Sequence, residues 1–459
     1  RDLRQFQAAI EDYDKAVALA PGEADIHFNR ANALRELKQN MAAVASFEKA
    51  IALTPGDPAV HNNCGDALRE LGNYRQALES YDKALTLRPD FAFLRGMRLH
   101  TAMHICAWND LENDLSQLER EIERGGMGSP PFQILPMINS AALQKRAAEI
   151  WTQQKHPESH SLPSLPKYNR REKIRLGYFS ADFHNHATTY LMAELVEKHD
   201  RNRFELIAFS FGPNENDQMR QRMAAAFDRF IDVGTKSDAE VAELSRSLGV
   251  DLAIDLKGFT RDSRPGIFAA RAAPVQVSYL GYPGTMGAGY IDYLIADATL
   301  IPQSSRQFYT EKIVYLPDSY QPNDSTRVIA DLRSVRAEHG LPSAGFVFCC
   351  FNNSYKIMPS TFEAWMRILR QVDGSVLWLI ADTVDAVGNL RKHAIRCGVA
   401  AERLVFAERL SLAEHLARHR LADLFVDTLP CNAHTTASDA LWAGLPVLTC
   451  TGEAFASRV

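Results

Sequence analysis

Residues 74–89, YRQALESYDKALTLRP, decide the fold of the first third of the chain. Residues 40–55, NMAAVASFEKAIALTP, and residues 6–21, FQAAIEDYDKAVALAP, repeat the same design at intervals of 34 residues. Each copy places small residues around one aromatic residue and ends at a proline. Small side chains let two antiparallel helices approach closely, the aromatic ring fills the gap, and the proline ends the second helix. The spacing therefore predicts a helical repeat array over residues 1–92.

The period of 34 residues is that of tetratricopeptide repeats, in which helix pairs stack into a superhelix. The concave face of such a superhelix commonly holds an extended polypeptide, so we expect a protein or peptide to bind along it. Asn29, Asn32 and Asn63 fall on the first helix of each pair. Their amides either pair with a bound backbone or form ordinary polar helix surface. Repeats alone imply only a binding scaffold.

The composition, with 459 residues, 46% hydrophobic and 23% charged, is that of a globular protein of about three domains. A net charge of −5 argues against a nucleic-acid-binding protein. The longest apolar runs, residues 345–351 and 375–381, are shorter than the roughly 18 residues of a membrane span. The 7 scattered cysteines form no C-x-x-C pair, which argues against a zinc site or secreted disulfides and predicts a cytoplasmic protein.

Both ends of the chain are expected to be truncated, because it starts at Arg1 inside a helical pattern and stops at Val459 without a terminating signal. The first repeat then lacks most of its opening helix. The last helices of the final domain, which usually brace a cleft, are also expected to be missing. Such a fragment can be inactive where its parent is active.

Residues 93–170 continue the helical pattern without the repeat signature and end in a linker rich in proline, serine and basic residues, residues 155–171. Beyond it, short apolar runs alternate with helical patterns, which predicts parallel α/β sheets in two domains, residues 171–325 and 326–459. The predicted strands are residues 173–180, 204–211, 251–256, 275–280, 293–296, 312–316, 346–351, 376–380, 403–406, 424–426 and 447–449.

The expected fold is therefore multidomain α plus α/β: a tetratricopeptide solenoid followed by two Rossmann-like domains that face each other across a cleft. The sequence has no G-x-G-x-x-G after a strand, no P-loop motif and no G-x-S-x-G, which removes dinucleotide, P-loop and hydrolase functions. Its only Asp-x-Asp, residues 12–14, lies in a repeat helix, so a metal-dependent sugar-nucleotide site of that kind is unsupported. Metal-independent glycosyl transfer remains, and we expect no cofactor and no metal.

The most informative segment for chemistry is DTLPCNAHTTASDALWAG, residues 427–444. A strand ends, a loop with a proline turns, and Thr435 or Thr436 opens a helix. Free N–H groups, the helix dipole and two hydroxyls then converge on an anion site suited to a diphosphate. His434 adds to that site, and Asp439, one turn later, is placed to accept from ribose hydroxyls. The alternative is that the threonines only cap the helix.

This segment and several others resemble the tetratricopeptide-fused protein O-GlcNAc transferases, including their SPINDLY branch. The resemblance covers essentially all 459 residues. Its landmarks are GYFSADFHNH at 177–186, DLKGFT at 255–260, APVQ at 273–276, LGYPGT at 280–285, FNNSYKI at 351–357, and the segment from residue 434 through residue 453.

The resemblance implies a GT-B glycosyltransferase fold, with a nucleotide sugar bound by the second Rossmann-like domain. Lys356 resembles the lysine that contacts the diphosphate and favours departure of UDP; otherwise it is a solvated lysine after a strand. His434, Thr435 and Thr436 look like the diphosphate-binding segment, and Asp439 looks like the ribose ligand.

Five further residues have weaker matches. His415 and Arg418 resemble residues that flank the uracil, although a plain surface helix has the same spacing. Asn353 matches a polar amide near the nucleotide, which is Gln in the animal enzymes. Gly284 and Thr285 lie in a glycine-rich loop that is either part of the cleft or a plain βα turn.

His186 matches the histidine proposed as the catalytic base near the acceptor hydroxyl, and an imidazole titrates in the right range for that role. The base of this family is disputed, so His186 either takes the proton or orients acceptor or sugar. A second histidine of the animal enzymes falls at Asp251 here, and His184 has no role in the family.

The resemblance implies an inverting, metal-independent transferase that moves GlcNAc from UDP-GlcNAc to Ser or Thr of proteins, which the repeats present. Alternatives are a GDP-fucose donor, an Asn acceptor, or a repeat scaffold whose catalytic half has decayed. No nucleic-acid or membrane partner is expected.

Overall fold

Nine helices occupy the first third of the residues that the computed structural model describes, which are 3–165, 171–331 and 335–459. Residues 166–170 of the predicted linker lie outside this set. The helices are α1 (Leu3–Leu19), α2 (Ala24–Glu36), α3 (Asn40–Leu53), α4 (Pro58–Glu70), α5 (Tyr74–Leu87), α6 (Leu94–His104), α7 (Leu111–Glu123), α8 (Pro131–Ile134) and α9 (Ala141–Lys155).

The small and aromatic residues of the repeats pack between the helices, as the sequence predicts. Ala43, Phe47 and Ala50 on α3 are fully buried, and so are Ala77 and Tyr81 on α5. Their uniform burial follows from helix pairs that pack as closely as small residues allow. The first α-helices therefore form a tetratricopeptide solenoid.

A seven-stranded parallel sheet follows, with the order β3-β2-β1-β4-β5-β6-β7. Its strands are β1 (Ile174–Ser180), β2 (Phe204–Ser210), β3 (Arg229–Asp232), β4 (Leu252–Asp255), β5 (Val275–Ser278), β6 (Tyr293–Asp297) and β7 (Lys312–Leu316). Its helices are α10 (Ala187–Glu197), α11 (Gln218–Ala226), α12 (Asp238–Ser247) and α13 (Pro265–Ala269).

A second parallel sheet has the order β10-β9-β8-β11-β12. Its strands are β8 (Val347–Cys350), β9 (Val376–Ile380), β10 (Leu404–Ala407), β11 (Leu424–Val426) and β12 (Val447–Leu448), and its helices are α14 (Pro359–Gln371), α15 (Val384–Arg396), α16 (Leu412–Arg418) and α17 (Thr435–Trp442). Strand order reverses between β1 and β4 and between β8 and β11, and such switch points are where doubly wound sheets bind ligands. The molecule has the GT-B arrangement.

Strand β3 is absent from the predicted strands, because residues 217–230 have a helical pattern in the sequence that runs into it. Helix α11 ends at Ala226, and residues 229–232 pair with β2 at the sheet edge. An edge strand of four residues that is only half-buried carries too short an alternation to be read from sequence.

The last residues cross back from the second sheet to the first. Phe455 packs edge-on against Tyr320 with ring centroids 5.4 Å apart, and Arg458 donates to the Thr299 carbonyl over 2.8 Å. Asn432 donates from its backbone to the Ala456 carbonyl over 2.7 Å. The two sheets are therefore joined at the cleft within the described chain. No described helix has the length and apolarity needed to span a membrane.

Gly65 tests the close packing of the repeats, because a Cβ at this position would lie 2.5 Å from the Tyr81 ring. We expect Gly65→Ala to destabilise the chain by about 1–3 kcal/mol through overpacking, despite the better helix propensity of alanine. Urea unfolding followed by circular dichroism measures this. Gly56→Ala is the control, since nothing lies within 4 Å of its added Cβ. Equal midpoints for the two variants would contradict the packing account.

Candidate active site between the two sheets

The loops after β8 and β11 meet at one edge because these strands are parallel neighbours. Asn352 ties the loops together: its amide donates to Thr428 Oγ1 over 2.8 Å, and its oxygen accepts from the Thr436 hydroxyl. Asp427 accepts from the backbone N–H of Thr428 over 2.7 Å and of Ala433 over 2.6 Å. These bonds hold the loop that leads into α17.

Lys356 and His434 lie together where α17 begins. Lys356 Nζ donates to the Asn432 carbonyl over 2.8 Å, and His434 is the N-cap residue of α17. The His434 side chain makes no cap bond, so the first N–H groups of the helix remain available to an anion. Thr435 and Thr436 form the first turn and are half-buried. The structure therefore brings four of the predicted site residues to one point.

The charge at this point resides on Lys356. Burial and the charge of Lys356 lower the pKa of His434 to about 3. A 3.1 Å hydrogen bond to the Ala456 carbonyl acts in the opposite direction and raises this pKa, but its effect is smaller. Burial also opposes the charge of Lys356, but the nearby acidic groups Cys431, Tyr355 and Asp427 raise its pKa above the ordinary value. At neutral pH the site holds an ammonium ion beside a neutral imidazole.

Asp439 lies one turn into α17, as its spacing predicts, and forms an ion pair that the sequence did not reveal. Its Oδ1 is 2.6 Å from Arg327 Nη1, and both side chains are buried. Burial raises the pKa of Asp439 to about 6, although Arg327 favours the charged form. Arg327 comes from the segment between the sheets, so α17 is bound to that segment one turn after the helix begins.

Phe351 is the centre of a second group at this edge. Arg418 lies over its ring, 4.5 Å from the centroid, and the His415 ring is 5.4 Å away. Burial first, and then the charge of Arg418, lower the pKa of His415 to about 2, so this ring is neutral. Asn353 lies apart from them and is exposed, with its Oδ1 3.3 Å from Arg409 Nη2.

His186 lies at the edge of the first sheet, as the N-cap residue of α10. Its Nδ1 is 3.2 Å from Thr188 N and 3.5 Å from Asp182 Oδ2. If Nδ1 accepts from Thr188, the ring proton is on Nε2; if Nδ1 donates to Asp182, Nε2 keeps a lone pair that can take a proton. Burial lowers the pKa of His186; Asp182 opposes this shift, and Lys257 and His184 add to it.

Sequence reasoning missed the ion pair behind His186. Lys257 Nζ is 2.7 Å from Asp182 Oδ1 and 2.9 Å from Oδ2, and the two side chains are almost fully buried. Both residues belong to segments that carry the family resemblance, residues 177–186 and 255–260, and they directly follow β1 and β4. Their position after neighbouring parallel strands was the only sequence signal that could have indicated the pair. A buried pair of this kind holds its partners in place and is costly to break.

The glycine-rich loop after β5 is pressed against the loop after β4. A Cβ at Gly281 would lie 1.9 Å from the Leu256 carbonyl oxygen, so only glycine fits there. Thr285 is buried and donates to Glu311 Oε2 over 2.6 Å. A Cβ at Gly284 would lie 3.0 Å from the Tyr282 ring. The structure thus shows Thr285 as an anchor of this loop.

One candidate metal group occurs among the residues that the structure describes. His184, Glu215 and Asp217 place one ligand atom each within 4.8 Å of one another, and the His184 ring lies 5.6 Å from that of His186. Asp217 already accepts backbone hydrogen bonds from Asn185 and Arg220. This set offers one nitrogen and two carboxylates, a donor set that suits a divalent transition metal.

Comparison with known proteins agrees with this arrangement. The family model of glycosyl transferase family 41 matches residues 152–335 and 329–459, and tetratricopeptide models match residues 1–58 and 58–91. A probable UDP-N-acetylglucosamine–peptide N-acetylglucosaminyltransferase of Arabidopsis thaliana, SEC, is 34% identical over 381 residues, covering 79% of this chain and 39% of the relative. The corresponding transferase of Caenorhabditis elegans is 27% identical, covering 77% of this chain and 42% of its own.

The chain spans about two-fifths of the length of these two curated relatives. A solved structure, that of a mutant O-GlcNAc transferase of Thermobaculum terrenum, superposes with a TM-score of 0.73 at 26% identity. It covers 100% of this chain and 84% of that one. The family model covers the two sheets, and the repeat models cover helices α1 to α5. The chain therefore belongs to glycosyl transferase family 41.

Proposed function

We propose that this chain is the repeat and transferase region of an enzyme that moves GlcNAc from UDP-GlcNAc to Ser or Thr hydroxyls of proteins. The observation that carries this proposal is the convergence of Lys356, His434 and the open start of α17. The names of the relatives support the donor and the protein acceptor. The seven cysteines, all free, support a cytoplasmic location.

The diphosphate of the donor lies against the first turn of α17 in this proposal. Unpaired N–H groups, the hydroxyls of Thr435 and Thr436, and the ammonium group of Lys356 all favour negative charge there. As the bond between sugar and phosphate breaks, charge grows on the leaving UDP, and Lys356 stabilises it. A fixed protein cation thus takes the part that a metal plays in other transferases.

We assign the remaining nucleotide contacts to the side chains around Phe351 and to Asp439. The uracil lies near His415 and Arg418, beside the Phe351 ring, and Asn353 is at the rim. Asp439 keeps one oxygen for Arg327 and offers the other to a ribose hydroxyl.

The acceptor hydroxyl approaches from the first sheet, where His186 takes its proton or orients it. Inversion needs one in-line displacement without a covalent intermediate, so positioning and stabilisation of the leaving group are the main tasks of the enzyme. Gly284 belongs to the loop that adjoins this side of the cleft. On the repeats, Asn63 donates to Asn32 over 2.9 Å, so two of the three predicted amides lie side by side on successive repeats, where we propose that the polypeptide binds.

Nucleotide selectivity is the first test of the proposal. We expect UDP to raise the melting temperature in the presence of EDTA, and GDP to have little effect; ligand at 100 times its Kd adds about 2.7 kcal/mol. Differential scanning fluorimetry and calorimetry measure both. Selectivity for GDP would favour a fucose donor instead, and no nucleotide binding would favour a scaffold. Loss of UDP binding in EDTA would contradict metal independence. His184, Glu215 and Asp217 would then be the candidate metal ligands.

Lys356→Ala tests the stabilisation of the leaving group. We expect kcat to fall by about 10²–10³-fold with an unchanged melting temperature, because the charge on UDP develops mainly in the transition state. The measurement is release of UDP in the presence of an acceptor peptide. Lys83→Ala, which removes an exposed lysine from α5, is the matched control. Retention of most activity in Lys356→Ala would exclude this role.

His186→Asn separates proton transfer from helix capping, since asparagine also caps helices. If His186 is the base, we expect kcat to fall by about 10²-fold and the acid limb of the pH profile to disappear. The lowered pKa of His186 places that limb below pH 6.5, because only the neutral ring accepts a proton. Exposed His160→Asn is the control. An unchanged rate would leave His186 without a part in proton transfer.

A further inference from the structure

The segment between the two sheets contacts α17 through Arg327 and Asn323. Arg327 Nη1 donates to Asp439 Oδ1 over 2.6 Å, and the guanidinium lies over the Trp442 ring, 5.1 Å from its centroid. Trp442 Nε1 donates to the Arg327 carbonyl over 3.3 Å. Asn323 Oδ1 accepts from Arg327 Nη2 over 3.3 Å and from the Ser438 hydroxyl. Arg327 is therefore held against one side of α17.

The same segment is bound to the helices of the first sheet. Asp324 pairs with Arg222 on α11. Ser325 donates to the two carboxylate oxygens of Glu194, on α10, from its backbone N–H over 2.6 Å and from its hydroxyl over 2.8 Å. The backbone N–H of Arg327 donates to the Asp324 carbonyl over 3.4 Å. The position of Arg327 is thus set from the first sheet as well as from α17.

Asp439 is held by one carboxylate oxygen, and the other oxygen is free. Among the residues that the structure describes, no group donates to Oδ2, and this oxygen is not one of the fully buried atoms without a partner. Oδ2 is therefore open to solvent. Thr435 and Asp439 are four residues apart, so they share one face of α17, about 6 Å apart along the helix axis. The free oxygen lies one helical turn beyond the proposed diphosphate site.

Arg327 keeps the Asp439 carboxyl group ionised. Burial raises the pKa of Asp439 to about 6, and the charge and hydrogen bond of Arg327 oppose this rise. Both side chains are almost fully buried, so water cannot replace the guanidinium if it is removed. Without Arg327, the pKa would rise further and more of the carboxyl would be protonated near pH 7. A carboxylate accepts stronger hydrogen bonds than a neutral carboxyl group.

We propose that Arg327 is a positioning residue for the donor: it fixes the Asp439 carboxylate so that the free Oδ2 accepts hydrogen bonds from the ribose hydroxyls. The inference rests on the proposed function, in which Asp439 faces the ribose. Arg327 contacts no donor atom itself, because Nη1 binds Asp439 and Nη2 binds Asn323. Selection of ribose over deoxyribose then depends on a residue outside α17.

Discrimination between ribose and deoxyribose tests this positioning on the whole chain. Isothermal titration calorimetry compares UDP with dideoxyuridine diphosphate, which lacks both ribose hydroxyls. We expect the parent to bind UDP about tenfold more tightly, as the loss of a hydrogen bond to a charged group implies. We expect Arg327→Met to bind UDP about tenfold more weakly and the dideoxy analogue with parental affinity, which abolishes the discrimination. With UDP-GlcNAc, KM should rise and kcat should stay unchanged.

A pH series separates positioning from a purely structural role. We expect the UDP affinity of Arg327→Met to recover between about pH 7 and pH 9, because Asp439 regains its charge as the pH rises. The parent changes little over this range, since its Asp439 is already ionised. Arg327→Lys restores a cation beside Asp439, and we expect it to remove most of the pH dependence.

Arg336→Met is the matched control. Arg336 also pairs with an aspartate of the second domain, Asp423, over 2.8 Å, and its other partners are the Leu421 and Gly345 carbonyls, none of them on α17. We expect a lower melting temperature and full ribose discrimination. If Arg327→Met fails to fold, Arg327→Gln takes its place with the same expectations, because its amide can still donate a hydrogen bond but carries no charge.

Full ribose discrimination in the Arg327 variant, or UDP affinity that stays low as the pH rises, would overturn the inference. Equal affinity of the parent for UDP and its dideoxy analogue would also overturn it and would leave the proposed function standing. Failure of the parent to bind UDP at all would overturn the proposed function together with the inference that rests on it.

Discussion

Parallel pairing of β8 with β11 is the constraint on which the candidate site depends. The two strands are some seventy-five residues apart in sequence, yet their parallel register places both carboxyl ends at one edge. Asn352 and Asp427 then bind the two loops into one unit. Only in that unit can Lys356 reach the loop that leads into α17. A site built in this way needs no contiguous motif.

Electrostatics divide the cleft into two unequal sides. The second sheet offers a single ammonium, Lys356, beside helix N–H groups and a neutral His434, which suits an anion that gains charge as it leaves. On the first sheet, Lys257 and Asp182 neutralise each other in a buried ion pair, and Asp182 also lies 3.5 Å from His186 Nδ1. That side suits an uncharged hydroxyl and the movement of a proton.

The repeats precede the two sheets in the chain and also pack against them. Helix α6 packs its histidines against Tyr355, one residue before Lys356. The ion pair Lys38–Asp262 connects the solenoid to the loop after β4, and Arg75–Asp385 connects it to the start of α15. The acceptor site that we propose on the repeats and the donor site that we propose on the second sheet therefore adjoin each other.

The sequence by itself determined the repeats, eleven of the twelve described strands within a few residues, and a start of α17 at Thr435 or Thr436, because each of these depends on local periodicity and on helix-start chemistry. The sequence did not predict the short edge strand β3, since four half-buried residues are too few to show an alternating pattern. Only the tertiary structure decided that Asp439 pairs with Arg327, that Thr285 anchors to Glu311, and that Lys257 backs His186 through Asp182. Those contacts join residues from 26 to 112 positions apart, and no local propensity specifies which buried charge meets which partner.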